Sequence, residues 1–264
     1  MSNIDITVIT PGGDRPWSLD LLRKYLLRQT FPGSIQWLII SDSRNQKPYE
    51  QIWLQFVLHT LSDARFQNGA LHQLPHDISS LGPRSLAQNL IWGLERAQGN
   101  AIFICEDDDW YGKGHLMECF YRLSKPKIGA VGTIWQKYYH LPSLSYRTFK
   151  NIGSALCSTA FHRNLIPIMI EAASHCYQHN QKGIDRRFWD SLSLEQKDIF
   201  DPKKNQVIGI KGLPGRAGIG IGHQPRGFEQ DQDAAILRAW VGDDADIYLT
   251  LRSKHNGSGK KEKT

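Results

Sequence analysis

Four consecutive carboxylates, Glu106-Asp107-Asp108-Asp109, follow directly on the apolar run Ala101-Ile102-Phe103-Ile104-Cys105 and precede Trp110. The run has the length and character of a buried strand. The acids therefore stand at a strand's carboxyl end, where open α/β sheets bind their ligands. Like charges crowded there repel one another unless a cation holds them. All-oxygen ligands suit a hard divalent ion such as Mg²⁺ or Mn²⁺, and Mg²⁺ ordinarily completes its shell with substrate phosphates and water. The cluster reads as a metal–diphosphate site. Its plain alternative is a solvated acidic turn, which the buried-type strand before it disfavours.

A second feature lies a hundred residues on. Lys211-Gly212-Leu213-Pro214-Gly215-Arg216 runs into Ala217-Gly218-Ile219-Gly220-Ile221-Gly222-His223. Gly218, Gly220 and Gly222 allow a backbone to pass close to a diphosphate. Lys211 and Arg216 flank the run as diphosphate partners by proximity alone. The alternative is a flexible loop with an incidental surface histidine.

The elements that must carry these residues can be read from periodicity and chain punctuation. Ile4–Ile9 predicts a first strand, closed by the turn Thr10-Pro11-Gly12-Gly13-Asp14. Pro16 opens a helix whose Trp17, Leu21, Leu22, Tyr25 and Leu26 share a face. Pro32-Gly33 breaks it, Ile35–Ile40 is a second strand, and a helix near 48–60 follows. A helix runs from Gly82-Pro83 to Arg96, with Leu86, Leu90, Ile91 and Leu94 on one face and Gly99 at its end. Strands alternating with helices of ten to fifteen residues predict βαβ units and a largely parallel sheet. The second half is less regular. Strands are expected over 129–135, 154–161 and 206–210, and helices over 115–123, 164–175 and 183–194.

At 264 residues and 40% apolar composition the chain can bury a large single core. No stretch reaches eighteen apolar residues, so no spanning helix is expected. MSNIDITVIT has no basic leader, so a cytoplasmic protein is expected. Cys105, Cys119, Cys157 and Cys176 form no CxxC pair and read as reduced structural thiols, Cys105 and Cys157 in apolar surroundings. Charge is unevenly spread: residues 1–110 carry net −3 and residues 111–227 net +10. No Asp or Glu occurs from Cys119 to Ile170, a stretch that holds Arg122, Lys125, Lys127, Lys137, Arg147, Lys150 and Arg163. Aromatics are interleaved, among them Phe120, Tyr121, Trp135, Tyr138, Tyr139, Tyr146, Phe149 and Phe161. That mixture is either a polyanion footprint, nucleic acid first among candidates, or core aromatics beside a solvated basic face. The polar, basic segment 251–264 reads as a disordered tail.

Taken in order, strand-TPGGDRP-helix, LIISDS, SLAQNLIWGLERAQGNAIFICEDDDW and the later Asp-Arg-Arg-Phe-Trp resemble the family 2 glycosyltransferases of GT-A fold. The resemblance covers roughly residues 4–225 and is strongest over 4–110. It implies a single Rossmann-like α/β domain over 1–250, with a nucleotide-sugar half (1–110) and an acceptor half (111–250). It also implies a nucleotide-sugar donor, a UDP-sugar first, a divalent Mn²⁺ or Mg²⁺ ion, and sugar transfer with inversion. By carry-over, Thr10, Pro11, Gly12 and Arg15 would line the nucleotide pocket and Asp42 would bind the base or ribose. Asp108 would be the principal metal ligand, beside Asp107, with Glu106 where the family places its first aspartate. The family's Arg-Asn helix pair is Gln88-Asn89 here, and Arg84, one turn earlier, would supply the missing cation. His223 resembles a histidine that completes the metal shell. Asp185 resembles the family's general base; its alternative role is a helix N-terminal aspartate facing the dipole. Trp189, with Arg186 and Arg187, would face the acceptor, or Trp189 would be core. Trp110 would likewise cap the donor sugar or be core.

Two acceptor classes are open. Family acceptors are commonly bacterial cell-surface glycans. The acid-free, aromatic-rich stretch favours instead a hydroxymethylated base in double-stranded DNA, as modified by some phage enzymes, which needs phosphate grips and an aromatic pocket for the extruded base. A non-enzymatic polyanion-binding module is the third reading, and it leaves the carboxylates unexplained. Oligomeric state is not legible.

Overall fold

The computed structural model describes residues 4–75, 83–150, 153–202, 204, 206–216 and 221–258. In chain order the first half runs β1 (Ile6–Gly12), α1 (Pro16–Leu27), β2 (Ile35–Ser41), α2 (Lys47–Thr60), β3 (Ala70–Gln73), α3 (Pro83–Arg96), β4 (Ala101–Ile104) and β5 (Asp109–Tyr111). Then come α4 (His115–Leu123), β6 (Ala130–Thr133), β7 (Trp135–His140), β8 (Ser145–Lys150), β9 (Ala160–His162), α5 (Ile166–His179) and α6 (Ile184–Asp190). The chain continues through β10 (Lys197–Phe200), β11 (Val207–Lys211), β12 (Glu229–Gln230), α7 (Ala235–Val241) and α8 (Ala245–Ser258).

Seven strands form the central sheet in the order β10-β6-β9-β4-β1-β2-β3. The β4-β1-β2-β3 run is parallel throughout, and only β9 runs against its neighbours. This is the mostly parallel α/β architecture expected from the alternating pattern. Every residue of β1 and β2 is buried. Their side chains alternate between two cores, as a sheet covered on both faces requires. Val8, Trp37, Ile39 and Phe103 pack under α1, α2 and α4. Ile9, Leu38, Ile40, Ile102 and Ile104 pack under α3, α5 and α6. Pro16 at the first turn of α1 supplies the fixed φ of a helix start. Gly99 admits no side chain, because a Cβ there would collide with the backbone of Ile6 and Thr7. That contact presses the α3–β4 turn against β1 and sets where β4 ends.

A second sheet, β12-β8-β7-β11-β5, stands beside the first. Its β5 follows the acidic cluster directly and pairs with β11 so that Asp109 lies opposite Gly209. The C-terminal segment closes behind it. Trp110 Nε1 donates to Asp244 Oδ2 at 2.6 Å, Arg28 pairs with the same oxygen at 2.6 Å, and the Tyr25 and Tyr248 hydroxyls meet at 2.7 Å.

Several expectations for the second half need correction. The strand expected over 129–135 divides into β6 and β7, which belong to different sheets. The strand expected over 154–161 is a 3₁₀ turn, Leu156–Ser158, followed by the short β9. The β7–β8 hairpin, β10 and α7 were not expected. Segment 251–258, read as the start of a disordered tail, continues α8; residues 259–264 lie outside the described residues. Trp110 is core, held by Asp244, and is not a cap on a donor sugar.

Asp244 is mostly buried and satisfies two donors at once, so its loss strands both. Asp244→Ala is expected to lower unfolding free energy by about 1.5–3 kcal/mol, the range for hydrogen bonds to charged groups. The exposed neighbour Asp243→Ala is expected to change it by less than about 0.5 kcal/mol. Urea unfolding of the two variants beside the parent protein measures both.

Candidate active site

A cavity of about 370 Å³ opens at the carboxyl ends of β1 and β4. Pro11, Gly12 and Arg15 reach it from the β1–α1 turn, and Glu106 and Asp108 from the end of β4. Lys211 enters from the end of β11, and Arg216 and His223 from the glycine-rich segment that follows. Asp185, in the first turn of α6, also lines the cavity. Residues separated by two hundred positions thus face one space, because β1, β4 and β11 all end there.

The acidic cluster is buried and held by the chain's own cations. Arg15 spans two aspartates, with Nη2 at 2.6 Å from Asp107 Oδ1 and Nη1 at 2.7 Å from Asp108 Oδ2. Lys211 Nζ lies 3.1 Å from Asp108 Oδ1 and 2.6 Å from Asp109 Oδ1. Two cations against four carboxylates leave an excess of two negative charges if all ionise. The strain falls unevenly. Burial, aided by the charge of Asp109, pushes Glu106 up to about 8. Burial also pushes Asp107 up to about 7, against the pull of Arg15. Asp108 is as deeply buried, yet Arg15 and Lys211 together hold it well below the usual carboxylate range. Asp108 is therefore the member that stays ionised.

This donor set fits a divalent cation. With all four ionised the missing charge is two units, the second carboxylate oxygen of Asp107 is buried with no hydrogen-bond partner among the described residues, and Glu106, Asp109 and Cys157 bring ligand atoms within 4.8 Å of one another. His223 Nε2 stands 3.7 Å from Asp108 Oδ2. Two ligands roughly 2.1 Å from one ion lie at most about 4.2 Å apart, so these two atoms can share one. Burial and the nearby Lys211 push His223 down to about 4, which keeps the imidazole neutral, the form that binds metal.

The other expected residues divide clearly. Asp42 lies at the end of β2 and is bound by Arg216, with Nη1 at 3.0 Å and Nη2 closer still. Arg216 reaches the cavity and Asp42 stands behind it. Thr10 does not line the cavity; it is fully buried and accepts a hydrogen bond from Trp37 Nε1 at 2.9 Å. Arg84 does not line it either. In its place Ser85 and Asn89, four residues apart on α3, face the space. Asn89 is buried with its Oδ1 unpartnered, the signal that would have singled it out. Tyr138, from the unexpected hairpin, also lines the cavity.

The acceptor residues need the largest correction. Trp189 is core: it is buried, donates from Nε1 to Thr159 Oγ1 at 3.2 Å, and packs where a Cβ on Gly132 or Gly153 would sit. Arg186 points outward and lies 3.6 Å from Asp190, and Arg187 donates to Gln181 at 2.7 Å. Three of the seven cations named in the acid-free stretch are paired with acids from outside it. Arg122 pairs with Glu118 and Asp198, Lys125 with Asp198, and Lys127 with Glu195. Phe161 and Tyr139 are fully buried. All four cysteines are free and buried; Cys157 belongs to the hydrophobic core, as expected, and its Sγ also comes near Glu106 and Asp109. Gly218 and Gly220 lie outside the described residues. No described helix is long and apolar enough to cross a membrane.

No protein-family model matches the sequence, and comparison with curated proteins gives no match. Solved structures do match. Staphylococcus aureus TarS is 13% identical with a TM-score of 0.54, and its 1–349 fragment in complex with UDP is 16% identical with a TM-score of 0.54. Both matches cover 78% of this chain, which spans 37% of the first and 60% of the second. The mannosyltransferase PcManGT of Pyrobaculum calidifontis, in complex with GDP-Man and Mn²⁺, is 12% identical with a TM-score of 0.52, over all of this chain and 77% of that one. These neighbours are glycosyltransferases, and the likeness shows that the chain has their GT-A fold.

The raised acids set a pH dependence. A carboxyl whose folded pKa lies above its unfolded value binds its proton more tightly when folded. Stability from Glu106 and Asp107 is therefore fully present below about pH 4 and is lost as pH rises through about 7 to 8. The metal-free protein is expected to melt at lower temperature at pH 8.5 than at pH 6. Added Mn²⁺ is expected to raise the pH 8.5 value more than the pH 6 value. Thermal melts in chelator and in Mn²⁺ at both pH values check this.

Proposed function

We propose that this protein is a divalent-metal-dependent glycosyltransferase that moves a sugar from a nucleotide-diphosphate donor to an acceptor hydroxyl. The observation that carries the reading is the approach of His223 to Asp108 in a cavity that Lys211, Arg216 and Asp185 also line. The GT-A fold adds to it, as do the UDP of the TarS complex and the GDP-Man and Mn²⁺ of PcManGT.

Asp108 and His223 would hold the ion, with Glu106 and Asp109 behind it. Bound there, a divalent ion supplies charge to the leaving diphosphate as a Lewis acid. The chain's own groups do the rest. Arg15 holds Asp107 and Asp108 in place and helps keep Asp108 ionised. Gly12, with no side chain, lets the donor approach the backbone of the β1–α1 turn. Arg216, held from behind by Asp42, would close the nucleotide side. Asn89 offers its unpartnered carbonyl oxygen to a donor hydroxyl.

Transfer is a single in-line displacement. The acceptor oxygen bonds to the anomeric carbon as the bond from that carbon to the phosphate oxygen breaks, which inverts the centre. Its transition state is oxocarbenium-like, as in glycoside hydrolysis. The acceptor proton passes to Asp185. Burial pushes the carboxyl of Asp185 up, against the lowering effect of its backbone hydrogen bonds. That shift makes it a stronger base than an exposed aspartate. The acceptor is read here only as a hydroxyl-bearing molecule.

Release of nucleotide diphosphate from a panel of UDP- and GDP-sugars in Mn²⁺ or Mg²⁺ tests the reading; no turnover of any donor, with or without acceptors, would refute it. Asp185→Asn is expected to lower kcat by about 10²-fold or more, with donor KM within about threefold. Asp108→Asn is expected to lose metal-dependent donor turnover. Equal kcat in Asp185→Asn and the parent protein would remove Asp185 as the base.

A further inference from the structure

Lys211 is where the site departs from a simple metal cage. It is the last residue of β11 and only 8% of its side chain is exposed. Its ammonium sits between Asp108 Oδ1 and Asp109 Oδ1, with Glu106 adding to the negative field. The fold makes a slot for it. A Cβ on Gly222 would come within 2.7 Å of Lys211 Cγ, and one on Gly209 within 3.2 Å of its Cε. Gly222 therefore clears the path of this side chain, while Gly209 chiefly makes room for the Tyr138 ring beside it.

Both oxygens of Asp108 are taken by the chain's own cations, Oδ1 by Lys211 and Oδ2 by Arg15. A divalent ion that binds Asp108 through Oδ1 meets Lys211 there, whereas Oδ2, 3.7 Å from His223 Nε2, is shared with Arg15. Arg15 is the fixed partner: its planar guanidinium spans Asp107 and Asp108 together. Lys211 is a point charge on a flexible stem, and it already lines the cavity. It is the cation that can move.

We infer that Lys211 is a resident counter-ion that competes with the divalent metal for Asp108 and passes to the donor diphosphate when metal and nucleotide enter together. The inference rests on the metal-dependent reading above and deepens it. Metal alone must displace an ammonium from two carboxylates, so it binds weakly. A nucleotide diphosphate offers the displaced ammonium a new anionic partner, so metal and nucleotide bind cooperatively. A cation stays at Asp108 in either state, Lys211 in one and the divalent ion in the other, so that carboxylate is never left unpaired.

Electron paramagnetic resonance of free Mn²⁺ measures the competition directly, without turnover. The proteins are the parent, Lys211→Met and Lys211→Gln, the last keeping an amide donor for the carboxylates. In the absence of nucleotide, Mn²⁺ is expected to bind both variants about tenfold or more tightly than the parent, because a positive charge has left contact range. The fold by which UDP or GDP tightens Mn²⁺ binding is expected to shrink in both. Mn²⁺ affinity that is unchanged or weaker in the variants overturns the inference and leaves the metal site standing. No Mn²⁺ binding to any of the three, with or without UDP or GDP, removes both readings. Should neither variant fold, the parent protein decides with ¹⁵Nζ-labelled lysine. Its ion-paired ammonium signal is expected to shift on adding Mg²⁺ with UDP or GDP and to stay in place with Mg²⁺ alone. A signal that stays in place while nucleotide binds overturns the inference.

Discussion

The structure turns on one electrostatic constraint: four buried carboxylates in succession at the end of a strand, with two buried cations to hold them. Burying an unpaired carboxylate is costly, and Arg15 and Lys211 offset that cost by arriving at the same point. They come from opposite directions. Arg15 stands at the end of the first βα turn, one strand over from the cluster in the central sheet. Lys211 comes from the second sheet, through the pairing of β11 with β5. The cluster thus joins the two sheets, and its remaining negative excess is the feature a divalent ion completes.

The frame around the cluster follows from that need for position. β1 and β4 are parallel neighbours in register from Ile6 and Ala101, and the bare contact of Gly99 on β1 sets the level at which β4 ends. Behind the cluster, Trp110 is fixed by Asp244, so the chain's last helices brace the strand that carries Asp109. None of these residues touches the cavity. They act by keeping carboxylate oxygens within tenths of an ångström of their partners, which charge-assisted hydrogen bonds demand.

How much of this was legible in the sequence follows from the range of each interaction. The parallel half was readable because its strands and helices are local and strongly periodic. Pro16, Gly99 and the strand before Glu106 each act on their immediate neighbours. The acidic cluster and Lys211 were singled out by residue type and position; Arg15, Asp108 within the cluster, His223 and Asp185 were singled out by the family resemblance. The fold brings Arg15, Asp108, Lys211, His223 and Asp185 to one cavity. What the sequence concealed was pairing. Thr10 was expected at the pocket and instead anchors Trp37. Trp189 was expected at the acceptor and instead fills the space left by Gly132 and Gly153. The hairpin β7–β8 places Tyr138 in the cavity wall, yet its alternation was hidden inside a stretch noticed only for lacking acids. Ser85 and Asn89 are polar residues on an otherwise ordinary amphipathic helix. Only an unpaired buried oxygen marks Asn89, and no linear pattern reports that.

The basic stretch shows the same principle with the opposite outcome. Seven cations without an acid over fifty residues suggested a surface for a polyanion. Sequence distance, however, says nothing about which acids return in space. Asp198 on β10, which pairs with β6 in parallel register, comes back to meet Arg122 and Lys125, and Glu195 meets Lys127. A charge run becomes a binding surface only where the fold leaves its counter-charges elsewhere. In the donor cavity the opposite holds: acids contiguous in sequence stay contiguous in space, and cations far apart in sequence are drawn to them. Local charge excess within one strand end is therefore the dependable signal here, and charge excess spread over several elements is not.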